Sequence, residues 1–181
     1  MIHFYVFNYS KLDDAKINRY IDNLLKELEI QNVNLDYNTK VCEQRTKDRF
    51  QVFINSNEGQ PLCGYQPFLF ELNDYSYEVS EQKNMDNFKF IFLGEKLTTK
   101  NSWGDAYGRW LTVISYLHEK NIWHEVAHLL GAEDHYDSET KLPLAICTNP
   151  SECIMTYAKT KGVLCKEALA EIRNYIRTLE D

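Results

Sequence analysis

Residues His124, Glu125 and His128 have the types and the spacing that a catalytic metal site requires. Side chains four positions apart on an α-helix lie on the same face, about 6 Å apart along the axis, so the two imidazoles could bind one ion. Glu125 follows His124 directly and is rotated by roughly 100° around the helix, so it would flank the ion rather than bind it. From there its carboxylate could take a proton from a metal-bound water, which is the chemistry of metal-assisted hydrolysis.

The residues after this helix offer a third ligand. Gly131 suits the left-handed residue that ends a helix, and the chain reversal could bring either Asp134 or its neighbour His135 to the ion. A more distant glutamate, Glu167 or Glu171, is a further alternative that Gly131 and Asp134 disfavour. Three protein ligands and one water form the open coordination of a catalytic zinc. We therefore expect one catalytic Zn²⁺.

The pattern H-E-x-x-H-x-x-G-x-x-D resembles the extended motif of the metzincin clan of zinc metallopeptidases, whose last position is His or Asp. The sequence around Asp134 is similar to that of the snapalysins, a group of small bacterial neutral proteases, and the register of the clan favours Asp134 over His135. The run 153–157, Cys-Ile-Met-Thr-Tyr, resembles the methionine turn of the clan, and its Cys-x-Met core is similar to that of adamalysins and archaemetzincins. The resemblance covers residues 124–157.

This resemblance implies a zinc-dependent endopeptidase in which Glu125 is the general base and acid. It implies that Met155 forms a hydrophobic floor under the ligands and that Tyr157 donates a hydrogen bond to the reaction oxyanion, as in astacins and serralysins. Both residues could equally be ordinary core residues. A protein or peptide substrate would bind extended along an edge strand, which we place within 94–107. The segment 157–164 would form the outer wall of the substrate pocket.

The cysteines depart from this interpretation. The structural-zinc cysteines of archaemetzincins are missing, because Cys165 stands alone, without a second cysteine at C-x-x-C spacing. Cys147 and Cys153 could form a disulfide in an oxidising compartment, or remain thiols in a reducing one.

The alternative function is a zinc-stabilised binding or regulatory module that keeps the fold and does not cleave. Intact Glu125 disfavours that alternative, since a non-catalytic site does not need this carboxylate.

Composition indicates an ordinary globular chain. The 181 residues, 44% of them hydrophobic and 26% charged, predict a single domain with an N-terminal part at about 1–131 and a C-terminal part at about 132–181. The net charge of −7 provides no basic surface for nucleic acid or an anionic membrane, and no apolar run has transmembrane length. We expect a monomer. Residues 2–7 lack the flanks of a signal peptide, which leaves the cytoplasm, export without a signal, or secretion if Met1 is not the natural start, as the location.

Hydrophobic periodicity predicts an α/β (α+β) fold like that of a metzincin catalytic domain. We expect a twisted mixed sheet of about five strands with an N-terminal helix, a zinc-binding helix and a C-terminal helix. The predicted strands are 2–7, 33–37, 50–54, 88–93 and 110–117, with the edge strand within 94–107, and the predicted helices are 11–29, 118–130 and 168–179.

Overall fold

A five-stranded mixed sheet forms the centre of the molecule. The computed structural model describes residues 1–57, 60–81, 84–99, 101–157 and 162–180. The strands are β1 (Ile2–Asn8), β2 (Tyr37–Val41), β3 (Phe88–Leu93), β4 (Gly104–Tyr107) and β5 (Leu111–Ile114). Their order across the sheet is β2-β1-β3-β5-β4. The first four strands in this order run parallel, and only β4, at the edge, is antiparallel to its neighbour β5.

Five α-helices in the described part of the chain cover the two faces of the sheet. They are α1 (Asp14–Ile30), α2 (Gln44–Ser56), α3 (Gln66–Ser80), α4 (Glu119–Leu129) and α5 (Lys166–Glu180). Alternate residues of the sheet point to opposite faces, so Ile91 packs with α1, α4 and α5 while Phe90 and Phe92 pack with α2 and α3. Two hydrophobic cores result, one on each side. Among the described helices, none combines the length and the hydropathy that crossing a lipid bilayer requires.

This architecture confirms the predicted α/β fold with a mixed sheet of five strands, an N-terminal helix, a helix carrying the two histidines and a C-terminal helix. The predicted helices 11–29, 118–130 and 168–179 correspond to α1, α4 and α5. The predicted edge strand within 94–107 corresponds to β4. The first strand and the strand at 88–93 also lie where the sequence predicts them.

Three of the strand predictions were wrong, wholly or in their limits. Residues 50–54 lie inside α2, because Phe50 is fully buried while Val52 is 59% exposed, a pattern that fits one face of a helix. The strand expected at 33–37 begins only at Tyr37, since the chain is still leaving α1 before that point. The strand expected at 110–117 is the shorter β5. Helix α3 was not predicted.

Candidate active site

Helix α4 positions the two histidines of the motif. The side chain of His118 caps its first turn by accepting a hydrogen bond from the backbone N–H of Lys120 at 3.2 Å. The helix buries Ile122, Trp123, Val126, Ala127 and Leu129 against the core and leaves both motif histidines half-buried at a cleft. Gly131 then has a φ of +98°, as predicted for the residue that ends this helix. A side chain there would also collide with Tyr175 of α5.

Three potential ligand atoms converge at the cleft. The Nε2 atoms of His124 and His128 are 3.1 Å apart, and Oδ1 of Asp134 is 3.4 Å from each of them. The Nδ1 atoms bond the backbone carbonyls of Ile154 at 2.7 Å and Ala132 at 2.8 Å. A carbonyl only accepts, so each Nδ1 carries the proton and the Nε2 lone pairs face the same point. This donor set fits a zinc ion.

The electrostatics of this site favour a positive charge. Burial lowers the pKa of His128, but its hydrogen bond to Asp134 and the charges of Glu125 and Asp134 outweigh burial and raise it to about 9. Burial raises the pKa of Asp134, yet hydrogen bonds to His124 and His128 hold it well below the usual range. A proton shared among these groups is stabilised by the same charges that would stabilise a metal cation.

Glu125 lies beside the ligand atoms in a buried position. Only 4% of the residue is exposed, and burial raises the pKa of its carboxyl above the ordinary value. Thr112 of β5 donates a hydrogen bond to Oε2 of Glu125 at 3.3 Å. The Glu125 side chain packs on the backbone of Gly104 in β4, where no side chain would fit. A carboxylate with a raised pKa beside a candidate metal site is suited to proton transfer.

An open cleft of about 870 Å³ leads to this site. Residues 101–106 of the edge strand and its approach line the cleft, as do Ala132, Glu133, Asp134, Tyr136, Ile154, Thr156 and Tyr157. Trp103 is 41% exposed, and its ring lies 4.6 Å from that of Tyr116. The cleft therefore exposes one strand edge and the Trp103 ring. Of the predicted outer wall at 157–164, residues 158–161 lie outside the described residues.

Two tyrosines line the same cleft, Tyr136 and Tyr157. Tyr136 lines the cleft, and burial together with the charges of Asp134 and Glu125 raises the pKa of its hydroxyl, so it keeps its proton. Tyr157, the tyrosine that the sequence singles out, is 47% exposed and packs edge-to-face on Tyr136 at 5.5 Å. Among the described residues, no side chain accepts a hydrogen bond from Tyr157. Its predicted role toward the oxyanion is untested by this geometry.

Met155 is fully buried in the same hydrophobic core as Ala127 and Leu129. Its backbone carbonyl accepts a hydrogen bond from the N–H of His135 at 2.8 Å, so the chain at Met155 contacts the segment that follows α4. A hydrophobic floor under the ligands remains a prediction for Met155.

A second group of potential ligands lies behind the first. His135, Cys147, Cys153 and Cys165 are all buried, and their ligand atoms lie within 4.8 Å of one another. Nδ1 of His135 is 3.3 Å from Sγ of Cys165 and 3.7 Å from Sγ of Cys153. One imidazole and three thiols form a donor set of the kind that structural zinc sites use. This group, which we call the His/Cys cluster, could bind a metal ion.

The His/Cys cluster corrects the interpretation of the cysteines. Cys165 does not stand alone, because folding brings it to two cysteines that are distant in sequence. Cys147 and Cys153 form no disulfide, and all five cysteines of the chain are free.

The alternative third ligands lie away from the two motif histidines. His135 belongs to the His/Cys cluster, and its Nε2 atom is 3.3 Å from the carboxylate of Glu171. Glu167 accepts a hydrogen bond from the Thr148 hydroxyl at 2.9 Å. The structure thus brings Asp134, and neither His135 nor the two glutamates, to His124 and His128. Sequence reasoning placed Gly104 within the predicted edge strand but missed its contact with Glu125, and it missed Thr112 and Tyr136 altogether. A signal existed only for Thr112, a polar residue inside an apolar strand.

Comparison with known proteins identifies the fold. No family model matches the chain, and no curated protein matches its sequence. Among solved structures, the crystal structure of archaemetzincin from Methanopyrus kandleri is similar, with a TM-score of 0.52 and 10% sequence identity. The match covers 97% of this chain and 96% of that chain. The protein therefore has the fold of archaemetzincin over almost its whole length.

Proposed function

We propose that this protein is a zinc-dependent endopeptidase. One observation carries the proposal: the Nε2 atoms of His124 and His128 and the carboxylate of Asp134 converge in an open cleft, beside the buried Glu125. The archaemetzincin fold supports it, since that fold suggests a function of the zinc metallopeptidase type.

The residues of the cleft would have separate roles in hydrolysis. His124, His128 and Asp134 would hold the zinc, which supplies a Lewis acid and lowers the pKa of a bound water. Glu125 would take the proton of the attacking water and deliver it to the leaving amine. Thr112 would keep the Glu125 carboxylate oriented through its hydrogen bond. A peptide would extend the sheet at the free edge of β4 by backbone hydrogen bonds.

A Glu125→Gln variant tests the proposal. We expect the zinc-loaded wild type to cleave casein or members of a peptide library. The variant should bind zinc equally and lose about 10²-fold or more of its activity, which is the scale of general acid–base catalysis. Glu119→Gln is the matched control, because Glu119 lies on the same helix and its carboxylate bonds Asn23 instead. A wild type that holds zinc and cleaves no peptide would support the non-cleaving binding module instead.

We further propose that the His/Cys cluster holds a second, structural zinc. Three thiolates and one imidazole would close the coordination sphere and leave no position for water, unlike the site in the cleft. Its residues come from the segment after α4, the loop at Cys147, the methionine turn and the start of α5. A metal there would tie together the segments that carry Asp134 and Ile154.

A further inference from the structure

The pairing of β4 with β5 determines which backbone groups β4 offers at its free edge. In an antiparallel pair, successive residues point their N–H and C=O groups alternately toward the partner strand and away from it. Ser115 donates its N–H to the Trp103 carbonyl at 2.9 Å, which continues the β4–β5 register and orients Trp103 toward β5. Gly104 and Ala106 have the opposite orientation, so their N–H and C=O groups face the free edge.

The β5 side of the sheet agrees with this orientation. Ile114 is the β5 partner of Gly104, and its carbonyl accepts a hydrogen bond from Gly94, on the β3 side, at 3.0 Å. Gly104 and Ile114 therefore point their backbone groups away from each other. Gly104 and Ala106 both line the cleft, so a peptide in the cleft could reach their two carbonyls.

One of these two carbonyls already has a donor. Oγ of Ser102 lies 2.6 Å from the Gly104 carbonyl oxygen and 3.1 Å from Oδ1 of Asp105. A hydroxyl has one hydrogen, so Ser102 donates to one of these acceptors at a time. The shorter contact assigns the hydrogen to Gly104 in the free protein and leaves Asp105 as the alternative acceptor. In the described part of the chain, no side chain donates a hydrogen bond to the Ala106 carbonyl.

The two carbonyls should therefore respond differently to a peptide. A peptide N–H opposite Ala106 adds a hydrogen bond to a carbonyl that has no donor at the edge. A peptide N–H opposite Gly104 displaces the Ser102 hydroxyl, which turns to Asp105, so one donor replaces another. A peptide that lacks this N–H leaves the Gly104 carbonyl bonded to Ser102 and loses little affinity.

We propose that Ser102 is a specificity-determining residue, which makes the peptide position opposite Gly104 tolerant of residues without a backbone N–H, such as proline. The position opposite Ala106 requires the N–H. The inference rests on the proposed endopeptidase function, because it assumes that a peptide pairs with β4.

Backbone esters test the proposal, because each ester replaces one peptide N–H by an oxygen and changes little else. Binding of peptides from a library is measured by fluorescence anisotropy in zinc-loaded Glu125→Gln, the parent variant, so that bound peptides stay intact. An ester opposite Ala106 should weaken binding by about 2–10-fold, the scale of one hydrogen bond. An ester two positions along the peptide, opposite Gly104, should change binding by less than twofold.

Adding Ser102→Ala to the parent should make the second position sensitive as well, again by about 2–10-fold. The loss at the first position should persist, which shows that β4 of the variant still pairs with the peptide. Ser102→Thr is the matched control, since it keeps a hydroxyl and should give the same ester profile as the parent.

Two results would overturn the inference: the same ester profile in Ser102→Ala and in the parent, or a profile in which no position is sensitive. Cleavage by the wild type is measured separately. A wild type that cuts none of the peptides that the parent binds would refute the endopeptidase proposal, and the ester profiles would still decide the role of Ser102.

Discussion

Gly104 in the edge strand leaves the space that the Glu125 carboxylate occupies: a methyl group in place of the Gly104 hydrogen would overlap that carboxylate. The strand proposed to bind the substrate and the proposed general base are therefore in direct contact. The position of the base relative to a peptide on β4 is set by backbone, which cannot move without disturbing the sheet.

Gly104→Ala should displace Glu125 and reduce turnover. A shift of about 1 Å in a catalytic group can lower a rate by about 10²-fold, so we expect a loss of that order in kcat. Zinc content should stay unchanged, because the substitution does not touch the ligands. Gly64→Ala is the control, since a methyl group there would lie 3.8 Å from the nearest atom, in Pro61. Wild-type turnover in Gly104→Ala would show that Glu125 does not need this position.

The His/Cys cluster predicts the metal stoichiometry of the protein. We expect two zinc ions per chain by elemental analysis, and one in Cys153→Ser. Cobalt substituted into the cluster should show sulfur-to-metal charge-transfer absorption that Cys153→Ser reduces. The matched control is Cys42→Ser, because Cys42 is also a buried, free cysteine but packs in the opposite core. Equal zinc content in the wild type and Cys153→Ser would contradict the second site.

The candidate active site was predictable because most of it is local. Helical geometry alone determines how His124, Glu125 and His128 relate to one another, and Gly131 marks the helix end by its own conformational freedom. Tertiary packing then brings in Thr112 and Gly104 from other elements, and neither residue type by itself indicates a site.

The His/Cys cluster was not predictable by spacing for a related reason. Its ligands come from four separate segments, and none of them forms a close pair such as C-x-x-C.

The wrong prediction of a strand at 50–54 has a different origin. A run of five residues such as Phe-Gln-Val-Phe-Ile suits a strand by propensity, and only packing of Phe50 against the α3 aromatics selects the helix.

Gly131→Ala should destabilise the protein. The residue has a φ of +98°, which an L side chain rarely adopts, and the new methyl group would press on the side chain of Tyr175. Together these effects predict a loss of about 1–3 kcal/mol or more in the free energy of unfolding, measured with urea. Gly108→Ala is the comparison. Its φ of +59° is also one that an L side chain rarely adopts, but the atom nearest to the new methyl group, in Trp110, would lie 3.2 Å away. Equal losses of unfolding free energy in the two variants would mean that the Tyr175 side chain moves aside at little cost.

Lys89 predicts a pH dependence of stability that is independent of the metal sites. The residue is fully buried in β3, and its ammonium group donates to the Tyr175 hydroxyl at 2.6 Å and the Arg109 carbonyl at 2.5 Å. Burial lowers the pKa of Lys89 from 10.5 to about 7, with Asp86 opposing the shift and Arg109 adding to it. Between pH 7 and pH 10.5 the unfolded chain therefore binds more protons at Lys89 than the folded protein does.

The free energy of unfolding should then rise with pH from about 7 toward 10.5, by at most about 1.4 kcal/mol per pH unit from this group. Below pH 7 the lysine is protonated in both states, so it adds no slope. Lys89→Met keeps the length of the side chain and removes the charge, and the slope between pH 7 and 9 should fall relative to wild type in urea unfolding. Lys26→Met, on the exposed face of α1, should leave the slope unchanged. Identical slopes in wild type and Lys89→Met would mean that Lys89 keeps an ordinary pKa in the folded protein.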